Sequence, residues 1–265
     1  PQGREALEQV EVRRRLQELE QQIHERLERT RRAGQSPTTI PAHNPRFAGR
    51  LDELRDLHRM LTLENLGAIT AVHGIPGIGK SALAFEYGHA FADQYPGGRF
   101  LAACAQATDL RVPILNLAPQ FGVNLTDEDR KDIDLAYGKL RAGVADREAT
   151  LILLDNVDNP ALLTGAERAR WLPIGPNIFV LITTRVVAEG ISDLPAMNLD
   201  RLPTADARDL LAKYRPIPSD ADFHAATAIC ERLGGHPLAL EVVAVYLWRN
   251  PDESYGEFLA GLERR

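Results

Sequence analysis

Eight consecutive residues, Gly74-Ile75-Pro76-Gly77-Ile78-Gly79-Lys80-Ser81, have the types and spacing that phosphate chemistry asks for. Glycines let a backbone turn sharply and bring its N–H groups against phosphate oxygens with no Cβ between them. Lys80 is placed to reach the β- and γ-phosphates of a nucleotide, and the Ser81 hydroxyl to ligate Mg²⁺. The pattern is the G-x-x-x-x-G-K-S of a Walker A loop. Its flanks fit as well: the apolar run Ala68-Ile69-Thr70-Ala71-Val72 reads as a strand, and a helical run extends from Ser81 to about residue 94. Strand, loop and helix in that order aim unpaired amides and a helix dipole at an anion. A plain glycine turn is the bland reading, and the flanks decide against it.

A second site of chemistry lies at the end of Leu151-Ile152-Leu153-Leu154-Asp155. A continuous apolar strand is buried on both faces and belongs to a parallel sheet, whose ligands bind at the carboxyl ends of its strands. Asp155 is therefore expected to hold Mg²⁺, through water; a solvated strand-end carboxylate is the rival. The strand over 177–184 ends at Arg185, placed to sense a γ-phosphate or to make a surface salt bridge. Residues 99–105 read as another buried strand and 197–199 as a short fifth. Helices are expected over 110–121 and over 126–145, the latter begun by Thr126. These alternations predict a right-handed, doubly wound α/β layer.

Two flanking units must position these groups. Upstream, Phe47-Ala48-Gly49-Arg50 precedes a helix over about 51–63. Such a segment can close over base and ribose, although a turn glycine and an exposed arginine are common anywhere. From Pro203 the strands stop, and helices are expected over 204–213, 220–233, 237–249 and 254–262. Among them Gly234-Gly235-His236-Pro237-Leu238 ends one helix and starts the next, with Pro237 in the first turn where a missing N–H costs nothing. His236 reads as a capping side chain, with a switch as the rival. Over residues 4–32, Val12, Leu16, Leu19, Ile23 and Thr30 make an apolar stripe with Leu27 on its edge. That is an amphipathic helix about 40 Å long, open to reading as a linker packed on the body, an oligomerising helix or a partly frayed segment.

Composition narrows the class. The 265 residues are 44% hydrophobic with a net charge of −6, enough for sizeable cores and no global argument for nucleic acid. Cys104 and Cys230 sit in separate apolar segments and read as buried thiols, and no metal-ligand spacing appears. No apolar run approaches a membrane span and the N-terminus is charged, so a soluble, cytoplasmic protein is expected. The chain opens on Pro1-Gln2-Gly3 without Met, as an excised piece of something longer would.

The ordered motifs F-A-G-R, G-I-P-G-I-G-K-S, L-I-L-L-D-N-V-D, L-I-T-T-R and G-G-H-P-L-A-L resemble NB-ARC domains of the STAND NTPases, roughly over residues 45–262. These are nucleotide switches of apoptosome scaffolds, plant immune receptors and many bacterial regulators. The resemblance implies a P-loop α/β domain at 37–200, a helical domain at 201–265 and an N-terminal helix and linker at 1–36. It implies that Phe47, Ala48 and Arg50 lie over base and ribose. Gly74, Gly77, Ile78, Gly79, Lys80 and Ser81 would cradle the phosphates, with Ala82 following. Ser81 and Asp155 would hold Mg²⁺, Arg185 would be the sensor, and Pro237, with Leu238 beside it, would meet the adenine of ADP or ATP. Many relatives carry a second acid after the strand aspartate; here Asn156 stands there and Asp158 follows two residues on. An amide is no base, so hydrolysis is expected to be slow unless Asp158 or another acid substitutes. A winged-helix domain would follow in such relatives. The implied role is a switch controlling self-association and activation of a larger signalling or defence protein, with no membrane or direct nucleic-acid contact in this stretch. The rivals are the ATPase module of a bacterial transcription regulator and a turnover P-loop ATPase or kinase.

Overall fold

The computed structural model describes residues 36–71, 75–172, 174–186 and 194–263. The helix expected over 4–32 lies outside them, as does Gly74. The chain first forms α1 (Leu51–Glu64), whose Leu54, Leu57 and Leu61 face inward at helical spacing. Asn65, left-handed at φ 54°, ends it by returning its amide to the Leu61 carbonyl. There follow β1 (Leu66–Ala71), α2 (Lys80–Ala90), β2 (Gly98–Ala103), α3 (Arg111–Leu115), α4 (Ile133–Gly143), β3 (Thr150–Asp155), α5 (Gly165–Trp171), β4 (Ile178–Thr183) and β5 (Ala196–Leu199).

The five strands of the described residues are all parallel, in the order β2-β3-β4-β1-β5. From β1 to β2 the chain passes over β4 and β3; from β2 to β3 and on to β4 it moves back. Right-handed crossovers in opposite directions place their helices on opposite faces. Two cores result. Leu151, Leu153 and Leu181 face α1 and α2, while Ile152, Leu154, Val180 and Ile182 face α3, α4 and α5. The alternation along β3 and β4 is the two-residue period of a strand buried on both sides. The outer edge of β2 is covered by residues 37–39, where Thr39 donates to the Arg99 carbonyl at 3.0 Å and Arg99 to that of Pro37 at 2.9 Å.

Two expected helices come out shorter. The run over 110–121 breaks after Leu115, and Ala118–Phe121 forms a separate 3-10 turn. Pro119 has no N–H to donate back to Leu115, so the helix cannot continue. The run over 126–145 does not begin at Thr126. Thr126 and Asp129 bond each other reciprocally at 3.0 and 3.2 Å and close only a turn. The helix starts after Asp132, which is extended and accepts from the amides of Asp134 and Leu135.

After β5 the chain forms α6 (Thr204–Tyr214), α7 (Asp220–Arg232), α8 (Pro237–Arg249) and α9 (Tyr255–Glu263), close to the expected helices. They enclose a third core of Leu211, Ile229, Cys230, Leu240, Leu247 and Tyr255. Both cysteines are buried free thiols, and burial pushes Cys104 up to about 12 and Cys230 up to about 11. Among the described residues no helix is long and apolar enough to cross a membrane.

Candidate phosphate-binding site

Residues 75–79, which lead into α2, lie at the carboxyl edge of the sheet, where Ser81 meets the end of β3. Gly77 and Gly79 adopt φ of 72° and 98°, a left-handed region that glycine enters at no steric cost. Gly79 is the residue before α2, and no side chain caps that helix. The amides of its first turn therefore lack intrahelical partners and are available to an anion. A Cβ on Gly79 would meet nothing within 4 Å, so its glycine answers to backbone conformation alone. Ile78 is buried in the core beside α2, which anchors the loop from below.

Asp155 closes the other side. Its Oδ1 accepts from Ser81 Oγ and from Thr183 Oγ1, each at 2.6 Å. The loop serine and the end of β3 are thereby brought together across 74 residues of chain. A hydroxyl and a carboxylate in contact are hard oxygen donors, the set that suits Mg²⁺ completed by phosphate and water. Among the described residues no cluster of three or more His, Cys, Asp or Glu offers a protein-only metal cage. Thr183 is buried at the end of β4 and also accepts the Asn156 amide at 2.9 Å. Asn156 itself is left-handed at φ 64°, a conformation asparagine tolerates better than most residues.

Asp158 and Arg185 meet as an ion pair, with the Arg185 amide also donating to Asp158 at 3.2 Å. The hydrogen bond from Arg185 holds the Asp158 carboxyl below its ordinary range. A carboxylate so held is a poorer base. Burial pulls the Lys80 ammonium below its ordinary value, with Asp158 opposing, Arg185 reinforcing and Asp155 opposing. Lys80, Asp155, Asp158 and Arg185 thus share one electrostatic environment.

The helical unit reaches this loop directly. His236 caps α8 by accepting from the Ala239 amide, and its Nε2 lies 3.1 Å from the Pro76 carbonyl. A Cβ on Gly77 would fall 2.9 Å from Leu238 Cβ, so that glycine also admits the start of α8. Pro237 is the first residue of α8, half-buried beside these contacts. Ala82 is exposed on the first turn of α2.

Residues 46–50 strap the two units together. Phe47 packs on the core beneath α1 and α2, whereas Ala48 packs on the core of the helical unit. The Phe47 carbonyl accepts from Lys213 of α6, and Arg46 stacks 4.4 Å from the ring centre of Tyr214 and 5.7 Å from that of Trp248. Arg50 is buried, not the exposed arginine of the bland reading. It donates to Glu53 at 2.7 Å and to the Asp200 carbonyl at 2.5 Å. Sequence reasoning missed Thr183, Arg46 and Lys213. Only Thr183 left a signal, a hydroxyl closing an otherwise apolar strand and needing a partner.

No family model matches the chain. It is 31% identical over 234 residues to an uncharacterized protein of Mycobacterium tuberculosis, covering 84% of this chain and 55% of that one. It is 27% identical over 215 residues to the regulatory protein AfsR of Streptomyces griseus, covering 78% of this chain and 21% of that one. A nucleotide-binding leucine-rich repeat (NLR)-like protein of Hyaloscypha variabilis is 28% identical over 158 residues, covering 54% of this chain and 16% of that one. The chain thus spans about half or less of the length of these relatives. Among solved structures, the Walker-type ATPase PABY2304 of Pyrococcus abyssi superposes with a TM-score of 0.55 at 15% identity, covering 83% of this chain and 72% of that one. Cdc6p of Pyrobaculum aerophilum gives 0.53 at 14% identity, covering 82% and 65%. The fold is that of the P-loop ATPases: a parallel α/β layer followed by a helical unit.

Proposed function

We propose that the chain is the nucleotide-binding core of a STAND-type switch, taking ADP or ATP with Mg²⁺ and hydrolysing ATP slowly. The observation that carries this reading is the seating of the α8 start on the phosphate loop, through His236 on Pro76 and Leu238 against Gly77. A ligand at that loop lies where it can pin the helical unit to the α/β layer. The ordered motifs and the similarity to an NLR-like protein support the same class. In this reading residues 37–200 bind nucleotide, residues 201–265 respond, and residues 1–36 link to further parts of a larger protein that self-associates in its ATP state.

The loop amides and Lys80 would hold the phosphates; Phe47, Ala48, Pro237 and Leu238 would flank the base and ribose. Ser81 and Asp155 would hold Mg²⁺, which supplies charge neutralisation at the β- and γ-phosphates. Arg185 would sense the γ-phosphate in exchange for Asp158. Asn156 carries an amide where a second acid would stand, and Asp158 is engaged by Arg185 until a γ-phosphate draws that arginine away, in keeping with slow turnover. A second reading, the ATPase module of a bacterial regulator, is favoured by the similarity to AfsR. It shares this site and differs only in what the switch controls.

Calorimetry with ADP, ATP and GTP, with and without Mg²⁺, tests the assignment. Lys80→Ala is expected to abolish nucleotide binding and leave the fold intact, because its ammonium faces the ligand side and not a core. Tight ADP or ATP binding by that variant would contradict the site. Steady-state turnover far above about one per second, within the ordinary enzyme range, would favour a turnover enzyme over a switch.

A further inference from the structure

The turn into α8 does more than stop one helix and start another. His236 is extended, with φ −74° and ψ 114°, and its two ring nitrogens face different units. Nδ1 accepts from the Ala239 amide at 3.4 Å, within α8, and Nε2 lies 3.1 Å from the Pro76 carbonyl oxygen, in the phosphate loop. A carbonyl only accepts, so Nε2 carries the proton; Nδ1 accepts, so it does not. One form of the ring meets both demands, the neutral Nε2–H tautomer. A Cβ on the next loop residue, Gly77, would stand 3.2 Å from His236 Cε1, so the ring lies against the Pro76–Gly77 peptide itself.

We propose that His236 is a positioning residue that sets the orientation of the Pro76–Gly77 peptide in the phosphate loop and couples that loop to the helical unit. This rests on the nucleotide-binding reading above. In a trans peptide the C=O and N–H point in opposite directions. Holding the Pro76 carbonyl toward α8 turns the Gly77 amide away from α8 and keeps it from competing with the cap. The two residues are 160 positions apart in sequence, so the bond exists only while the helical unit is seated. Phosphates that order the loop in this orientation favour the seated helical unit, and unseating it loosens the loop. Pro76 adds to this, since it has no N–H of its own and its carbonyl is its sole backbone hydrogen-bonding group.

The test compares the parent chain with His236→Asn and His236→Ala, by ADP calorimetry and by thermal melting with and without ADP. Asparagine keeps an oxygen able to cap α8 but is too short to reach Pro76 as well. His236→Asn is expected to melt close to the parent without ligand, to bind ADP about threefold to tenfold more weakly, and to lose most of the ADP-dependent rise in Tm. That factor is the net worth of one hydrogen bond. His236→Ala should also melt lower without ligand, having lost the cap. Equal affinity and an equal ADP-dependent rise in parent and His236→Asn would overturn the proposal. So would a ligand-free Tm for His236→Asn as low as that of His236→Ala, which would make the contact merely structural. Failure of the parent to bind ADP at all would instead remove the nucleotide-binding reading, and this proposal with it.

Discussion

Asp155 accepts two hydroxyl hydrogen bonds on a single carboxylate oxygen, one from the loop and one from β4. It therefore serves the fold as well as the site, and its variants should separate the two roles. Asp155→Asn keeps an accepting oxygen. Asp155→Ala leaves the buried Thr183 hydroxyl without that acceptor, at a cost of about 1–3 kcal/mol. Asp155→Ala should thus melt several degrees below Asp155→Asn, while both spare ADP binding and weaken the Mg²⁺-dependent part of ATP binding. Equal ATP affinity with and without Mg²⁺ in the parent would argue against the metal role. Lys80, Ser81 and Asp155 could be singled out in the sequence because their spacing and their places at element ends match what phosphate and metal would demand, and the structure brings Ser81 and Asp155 together. Thr183 was not, because a threonine in a strand reads first as a β-branched residue suited to the pleat. The pairing of Asp158 with Arg185 was equally hidden. Each read separately as a site residue, and only the fold brings β4's end against the turn after β3.

At the scale of elements, sequence pattern located all five strands, because β3 and β4 are apolar on both faces and the others lie between clear turns. The helices of the last third were also legible: a proline start at Pro237 and the glycine stop at Gly234-Gly235 leave little freedom there. The misplaced start lay between β2 and β3, where Thr126 offered a good cap but Asp132 offered the one that the helix uses. The strap at residues 46–50 was visible only as a weak motif. Its mechanical role comes from neighbouring side chains entering different cores, which no local pattern encodes. Its outer fastening is the Arg46 guanidinium between Tyr214 and Trp248. Such cation–π contacts contribute about 0.5–1 kcal/mol each at exposed sites. Arg46→Ala is expected to lower Tm by a few degrees and to increase cleavage within α6–α9, with Arg46→Lys intermediate. An unchanged cleavage pattern in Arg46→Ala would show that the strap holds through Phe47 and Arg50 alone.

For the whole molecule, the account makes a nucleotide the pin between the α/β layer and the helical unit. A ligand that binds only the folded, closed form stabilises it by about 2.7 kcal/mol at a hundredfold excess over Kd. Full reversal of a two-state switch from 1:99 to 99:1 needs about 5.5 kcal/mol of differential affinity, so ADP binding alone at that excess falls short. Exchange for ATP, with Arg185 leaving Asp158 for a γ-phosphate, is the proposed source of the remainder. Limited proteolysis of the parent and of Pro237 variants, each with and without ADP, distinguishes a helical unit pinned by nucleotide from one held without it. Pro237 starts α8 with a preset backbone and can offer a rigid apolar face to a base. ADP should protect residues 204–262 in the parent, and replacement of Pro237 by a bulkier or more flexible residue should cut that protection while ADP still binds more weakly. Equal resistance of residues 204–262 in all four samples would contradict the account.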